Sequence, residues 1–179
     1  VSNPSPDQLH KVLVYDESTG DLYWRERPAS DFPSWTSYRS HRNKSANRKA
    51  GAIKRRKDGR VKSIVVRVNN VLYPAHCLIW IMRRGEIPDG LQVDHRNRNP
   101  LDNRLENLRL ATHSQNQQNS AHRGNSTGFK CVVPRGERFV AKLKHAGKQI
   151  HIGTFDTPVE ANAAYFQRAK QLYGDFAHA

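Results

Sequence analysis

Residues 91–119, "LQVDHRNRNPLDNRLENLRLATHSQNQQN", constrain the chain more than any other stretch. "LQVDH" and "LRLAT" have the character of short strands, and the polar segment between them is rich in turn formers. Thr112 is followed three positions later by Gln115, a capping box that predicts a helix starting at about His113 and running past Asn119. The order is therefore strand, loop, strand, helix. Asparagine favours neither helix nor strand, so the six asparagines between 97 and 119 are not there for propensity. Either this is a turn-rich surface loop, or the amides and the Asp94-His95 pair hold something.

In that layout Asp94 and His95 stand at the end of the first strand, and Asn116 lies in the first turns of the helix. A carboxylate and an amide oxygen are hard ligands, suited to Mg²⁺ or Mn²⁺ rather than to zinc. A helix N-terminus favours a phosphate nearby. A neutral imidazole beside such a cation can take a proton from water and make it a nucleophile. This is a phosphodiester hydrolase in outline.

The Asp-His pair, Asn107 13 positions after Asp94 and Asn116 22 positions after it resemble the HNH endonucleases of ββα-metal fold. The likeness is to the phage and intron-homing branch, in which Asp-His replaces His-His. "YDESTGDLYWR" and "AHCLIWIMRRGEIPDGLQVDH" match that branch too, so the resemblance covers roughly residues 7–119. It implies that His95 is the general base and that Asp94 and Asn116 hold one divalent cation. It further implies that Asn107 clamps the loop through backbone hydrogen bonds and so orients His95. Where the broader family often takes a histidine ligand from the helix, this chain has Asn116. His113, one turn earlier, reads as a surface residue or a phosphate contact, and His76 as a core or interface histidine rather than a ligand.

Charge points the same way. Thirty Lys and Arg against sixteen Asp and Glu leave a net charge of +14, which calls for a polyanionic partner. No apolar run approaches the roughly 18–20 residues of a membrane span, and no segment follows a signal-peptide pattern. Double-stranded DNA is thus the expected partner, with no membrane and with the cytoplasm (the host's, for a phage-encoded chain) as the compartment. Cys77 and Cys131 form no CxxC, so no structural zinc is expected, and two buried thiols fit a reducing cytosol. Oligomeric state is left open.

Ahead of this unit, Ser5, Pro6 and Gln8 predict a capped helix carrying Leu9, Val12 and Leu13 inward, followed by a turn at "DESTG" and a strand in "DLYWRER". Residues 30–60 show almost no periodicity. Across 30–68 there are twelve Lys and Arg and two Asp, which reads as a solvated loop or as a phosphate-tracking arm carrying Arg55, Arg56 and Lys57. "VKSIVVRVNNVLYPAH" is a hairpin turning at Asn69-Asn70, and Pro74 opens a helix that Gly85 ends.

Beyond the polar break at 122–128, three short strands ("FKCVV", "RFVAKLKH", "KQIHIGTF") precede a helix capped by Thr157 and Glu160. "GFKCVV" and "RFVAKLKHAGKQIHIGTFDTPVEANAAYFQRAKQLYGDFA" resemble an AP2/ERF-type DNA-binding domain over about 125–177. That likeness implies a three-stranded sheet laid in a DNA major groove. Val133 and Phe139 depart from its usual Arg and Trp. Strand alternation places Lys142, Lys144, Gln149 and His151 on one outward face, joined by Lys130 and Arg135.

The expected architecture is α+β. A ββα-metal HNH nuclease domain with a basic N-terminal extension spans 1–122, and a small AP2-like domain, a three-stranded antiparallel sheet plus one helix, spans 125–179. The expected activity is a divalent-metal-dependent DNA endonuclease of phage or homing type, nicking one strand or cutting both. The alternative is a non-catalytic DNA-binding regulator that uses the AP2-like domain.

Overall fold

The computed structural model describes residues 3–120 and 126–177, and its chain divides into two compact units, Val1–Leu110 and Ala111–Ala179. The domain boundary expected between 122 and 125 falls outside the described residues.

The first unit opens with helix α1 (Pro6–Val12), whose Ser5 and Gln8 form the reciprocal capping box. Leu13, expected inside this helix, instead begins strand β1 (Leu13–Asp16), which pairs antiparallel with β2 (Asp21–Trp24). Extended backbone at Leu13 still buries its side chain, so the apolar pattern is kept while the conformation changes.

The stretch read as aperiodic loop is partly ordered. Helix α2 (Trp35–Lys44) starts at Ser34, whose side chain accepts from the Ser37 amide, and strand β3 (Ala52–Arg55) follows. α2 buries no residue, so it leaves no hydrophobic period in the sequence. β3 joins an antiparallel three-stranded sheet with β4 (Val61–Val68) and β5 (Val71–Pro74). The β4–β5 turn uses Asn69 (φ 48°) and Asn70 (φ 62°), a left-handed pair that asparagine tolerates.

Helix α3 (Ala75–Arg84) buries Leu78, Ile79, Ile81 and Met82, and stops at Gly85 (φ 83°). It shares one core with Leu9, Leu13, Leu22, Val66, Val68, Val93 and Leu108. The last two matter most for function. Val93 lies on β6 (Leu91–His95) and Leu108 on β7 (Leu108–Thr112), strands that pair as a separate two-stranded sheet. Their burial fixes the ends of the loop between them.

The second unit contains α4 (His113–Asn119), started by the Thr112–Gln115 capping box. It ends at Asn119, earlier than expected, with the Ser120 hydroxyl donating to Gln117 O at 2.6 Å. Strands β8 (Val132–Arg135), β9 (Arg138–His145) and β10 (Lys148–Phe155) form an antiparallel sheet in the order β10-β9-β8. Helix α5 (Pro158–Tyr173) packs Ala161, Tyr165 and Ala169 on Val132, Ala141 and Leu143, small residues allowing close approach. The chain is thus a mixed α/β protein with four sheets.

Candidate active site

The asparagines of 97–107 tie the β6–β7 loop to itself. Asn97 Oδ1 accepts from the Asn99 amide at 2.9 Å, and Asn99 Oδ1 from the Leu101 amide at 3.1 Å. Asn107 closes the loop: its Oδ1 accepts from Asn97 N (3.0 Å), and its Nδ2 donates to Asn97 Oδ1 (3.0 Å) and Asp102 O (2.7 Å). The Arg96 amide donates to Asn107 O at 2.8 Å. A buried amide with every polar atom engaged holds the backbone that a turn-rich segment would otherwise leave mobile. Paired bonds from Arg104 hold the Asp102 carboxyl at about 2, so this anchor stays ionised.

His95 is buried at the end of β6. Its Nε2 lies 2.9 Å from Asn103 Oδ1, and because an amide oxygen only accepts, Nε2 carries the proton. Nδ1 is then the basic nitrogen. Asn107 restrains the loop, but the side chain that bonds the His95 ring is Asn103, which sequence reading passed over. Asn103 is itself held from behind: Tyr15 donates its hydroxyl to Asn103 O (3.2 Å) and accepts from the Leu105 amide (3.0 Å). Burial raises the Tyr15 pKa, keeping that hydroxyl protonated. Gly20 (φ 77°) completes the support, since a Cβ there would come within 2.5 Å of Arg104 N and 2.8 Å of the Asn103 carbonyl carbon.

His76 also reaches the site. Its ring meets that of His95 edge-on, with centroids 4.7 Å apart at 72°. Burial, followed by the proximity of His95, lowers its pKa to about 3, so it is neutral and packs as an aromatic wall. Its Nδ1 has no hydrogen-bond partner among the described residues.

Asp94 accepts from Arg109 Nε at 3.0 Å, the two side chains being 7 % and 6 % exposed. β7 supplies this arginine, which no motif pointed to; a charged residue in an otherwise apolar strand was the available signal. Asn116 stands half-buried on α4, in the second unit. Among the described residues no group of three or more His, Cys, Asp or Glu side chains gathers as a metal site. Asp94 in the first unit and Asn116 in the second each offer a side-chain oxygen. Donors of this type suit a hard cation that keeps most of its waters. His113 is exposed and bonds Gln117 at 2.8 Å.

The residues expected to meet DNA fall in two places. Arg55, Arg56 and Lys57 form the exposed tip of the β3–β4 hairpin, where Arg55 Nη1 donates to Gly59 O (3.0 Å). In the second unit, the register pairs Gln149 with Lys144 and His151 with Lys142, so all four project from one side of the sheet. On that side Lys142, Gln149 and His151 line a shallow groove of about 420 Å³ together with Val133, Arg135 and Val140. Lys130 stands apart from it. Its Nζ donates to the Gln117, Gln118 and Ser120 carbonyls at the C-terminus of α4, a cation neutralising a helix end. Cys77 and Cys131 are free thiols, and burial pushes Cys77 up to about 11. Among the described residues no helix is long and apolar enough to cross a membrane.

Comparison with known proteins points to the same segment. The HNH endonuclease family model matches residues 73–118, which span β5 to α4. The chain is 32 % identical over 105 residues to "Protein 3.8" of Escherichia phage T7, covering 57 % of this chain and 86 % of that protein. It is 33 % identical over 93 residues to an "uncharacterized HNH endonuclease" of Acanthamoeba polyphaga mimivirus, covering 52 % of this chain and 49 % of that one. The chain therefore spans about half the length of the mimivirus relative. No solved structure matches it. With an Asp-His strand end, an amide-tied loop and a capped helix inside the matched segment, the chain carries an HNH endonuclease domain at residues 73–118.

Proposed function

We propose that the protein is a divalent-metal-dependent endonuclease that hydrolyses phosphodiester bonds of double-stranded DNA, of phage or homing type. The observation that carries this reading is the oriented histidine: His95 Nε2–H is committed to Asn103, which makes Nδ1 the basic nitrogen of the ring. In this reading Nδ1 accepts a proton from the attacking water as that water adds to phosphorus, and the 3′ oxygen departs. Asp94 and Asn116 would hold one Mg²⁺ or Mn²⁺, which when bound offsets charge on the scissile phosphate and the leaving oxygen. Asn107 keeps the loop from relaxing, and His76 excludes water from one face of the His95 ring.

Binding energy comes from elsewhere on the chain. The hairpin tip at Arg55, Arg56 and Lys57 contacts phosphates without reading sequence. The C-terminal sheet acts as an AP2-like module whose Lys142, Lys144, Gln149 and His151 address base edges, with Arg135 at the rim. Lys130 serves this unit by holding α4 rather than by facing the groove. The phage T7 relative supports a phage-type origin, and action in the cytoplasm of an infected cell belongs to the same reading.

The test is supercoiled plasmid incubated with the protein, with and without Mg²⁺, beside His95→Ala. Magnesium-dependent relaxation or linearisation, reduced about 10²–10⁴-fold in the variant while DNA binding persists, is expected. Cleavage at the wild-type rate by His95→Ala would sink the assignment. Binding without cleavage under any divalent cation supports the regulator instead.

A further inference from the structure

Helix α2 buries nothing, yet it is ordered. A ten-residue helix is marginal in water by itself, so something must hold it. One stripe does. Ser37, Tyr38, His41 and Ser45 are half-buried, His41 Nε2 meets Arg25 O at 3.0 Å, and the Phe32 ring lies 5.7 Å from Tyr38 and 5.1 Å from His41. Arg27 covers Phe32 at 4.4 Å.

The neighbouring stripe, which touches the inner one where the Trp35 ring lies 5.1 Å from that of Tyr38, is unlike an ordinary solvated face. Trp35, Arg39 and Arg42 recur at i, i+4 and i+7, so they project together. Trp35 is 67 % exposed, unusual for the largest apolar side chain. Neither Arg39 nor Arg42 makes an ion pair or a side-chain hydrogen bond among the described residues. Between Phe32 and Lys57 there are nine Lys and Arg and no Asp or Glu, so nothing acidic on this segment competes for the guanidinium groups.

We propose that the Trp35–Arg39–Arg42 stripe is a docking surface for duplex DNA, an anchor lying outside the 73–118 family match. The inference rests on the nuclease reading only for the class of polyanion. A helix about 10–12 Å across matches a major groove about 12 Å wide, and the stripe runs about 10 Å along the axis. Arginine keeps its charge at any working pH and grips phosphate oxygens with a planar fork. Thr36, Ser40 and Asn43, also exposed, flank the stripe with short polar groups suited to a groove. An anionic membrane is the competing polyanion. An interfacial helix needs a broad apolar face, and α2 offers a single tryptophan. The inner stripe holds the helix in place beforehand, so little order need be gained on binding.

The experiment uses the full chain carrying His95→Ala, so that binding is read without cutting, and a labelled duplex titrated between about 50 and 200 mM salt. R39Q/R42Q is expected to weaken binding at least tenfold and to lower the slope of log K against log salt by about two units. W35A is expected to weaken binding roughly fivefold with the slope unchanged. None of the three side chains is buried, so circular dichroism and melting should match the parent. Unchanged affinity and slope in both variants overturn the proposal. So does a loss confined to phosphatidylserine vesicles with duplex binding intact. Plasmid cleavage by the His95-intact protein is scored separately: its absence refutes the nuclease reading while leaving the binding result standing.

Discussion

His95 gives its Nε2 proton to Asn103 Oδ1 across 2.9 Å, and that bond decides which ring nitrogen is left basic. Asn103→Ala removes the acceptor while Asn107 still ties the loop. Expected is a 10- to 100-fold fall in kcat, roughly the cost of losing an orienting partner, with KM little changed. Asn103→Asp retains an acceptor and should recover part of the loss. ¹⁵N imidazole spectra separate orientation from unfolding: the alanine variant should show mixed tautomers at His95, and a single unchanged tautomer would refute the role.

Asp94 and Arg109 neutralise each other inside the protein. Arg109→Met strands a carboxylate that has little water to turn to. Removing one partner of such a pair typically costs about 3–5 kcal/mol, so the urea midpoint should drop sharply. Replacing both residues with apolar ones should cost less, although cleavage is lost with Asp94. A midpoint unchanged in the single variant would show that solvent reaches the pair.

His76 makes stability depend on pH in a defined direction. Its folded pKa of about 3 lies below the ordinary 6.5, so folding favours the neutral ring. The stability it contributes is complete above about 6.5 and is lost as pH falls from there towards 3. His76→Leu should flatten this part of the profile in chemical denaturation taken from pH 7 to pH 4. A profile with the same slope in both proteins would assign the acid sensitivity to other groups.

Neutralising Arg55, Arg56 and Lys57 should weaken binding alike on all sequences. Every phosphate that the tip no longer neutralises should lower the salt slope by about 0.9. An unchanged slope would make the hairpin tip a merely solvated turn.

On the C-terminal sheet, Lys144→Ala or Gln149→Ala should loosen site preference by about 1–3 kcal/mol per base-edge hydrogen-bonded pair and leave the cleavage chemistry alone. Deleting 125–179 should do so more severely. The readout is the cleavage pattern on a randomised duplex pool, and identical site selection by the truncated chain would remove the targeting role.

What sequence made legible was whatever local rules govern. The Ser5, Thr112 and Thr157 caps, the Asn69-Asn70 turn and the Gly85 stop all fall where short-range chemistry put them. α2 escaped because its inward residues are Ser, Tyr and His, which carry no hydrophobic period. Asn103, His76 and Arg109 escaped for another reason. Each acts on a residue 8, 19 or 15 positions away, through contacts that only the folded chain creates. Among many asparagines in one loop, nothing local distinguishes the one that bonds His95 from those that tie turns.

Gly20 sits 75 positions before His95, in a hairpin tip outside the 73–118 family match, yet its missing Cβ makes room for the backbone that carries Asn103. The β6–β7 loop is therefore not a portable cassette. Segment 73–118 moved into another scaffold would arrive without the hydroxyl of Tyr15 and without the space that Gly20 leaves. A screen for inactive variants would accordingly return substitutions at position 20, and an observer guided by the motif alone would file them as misfolding rather than as damage to the proposed general base.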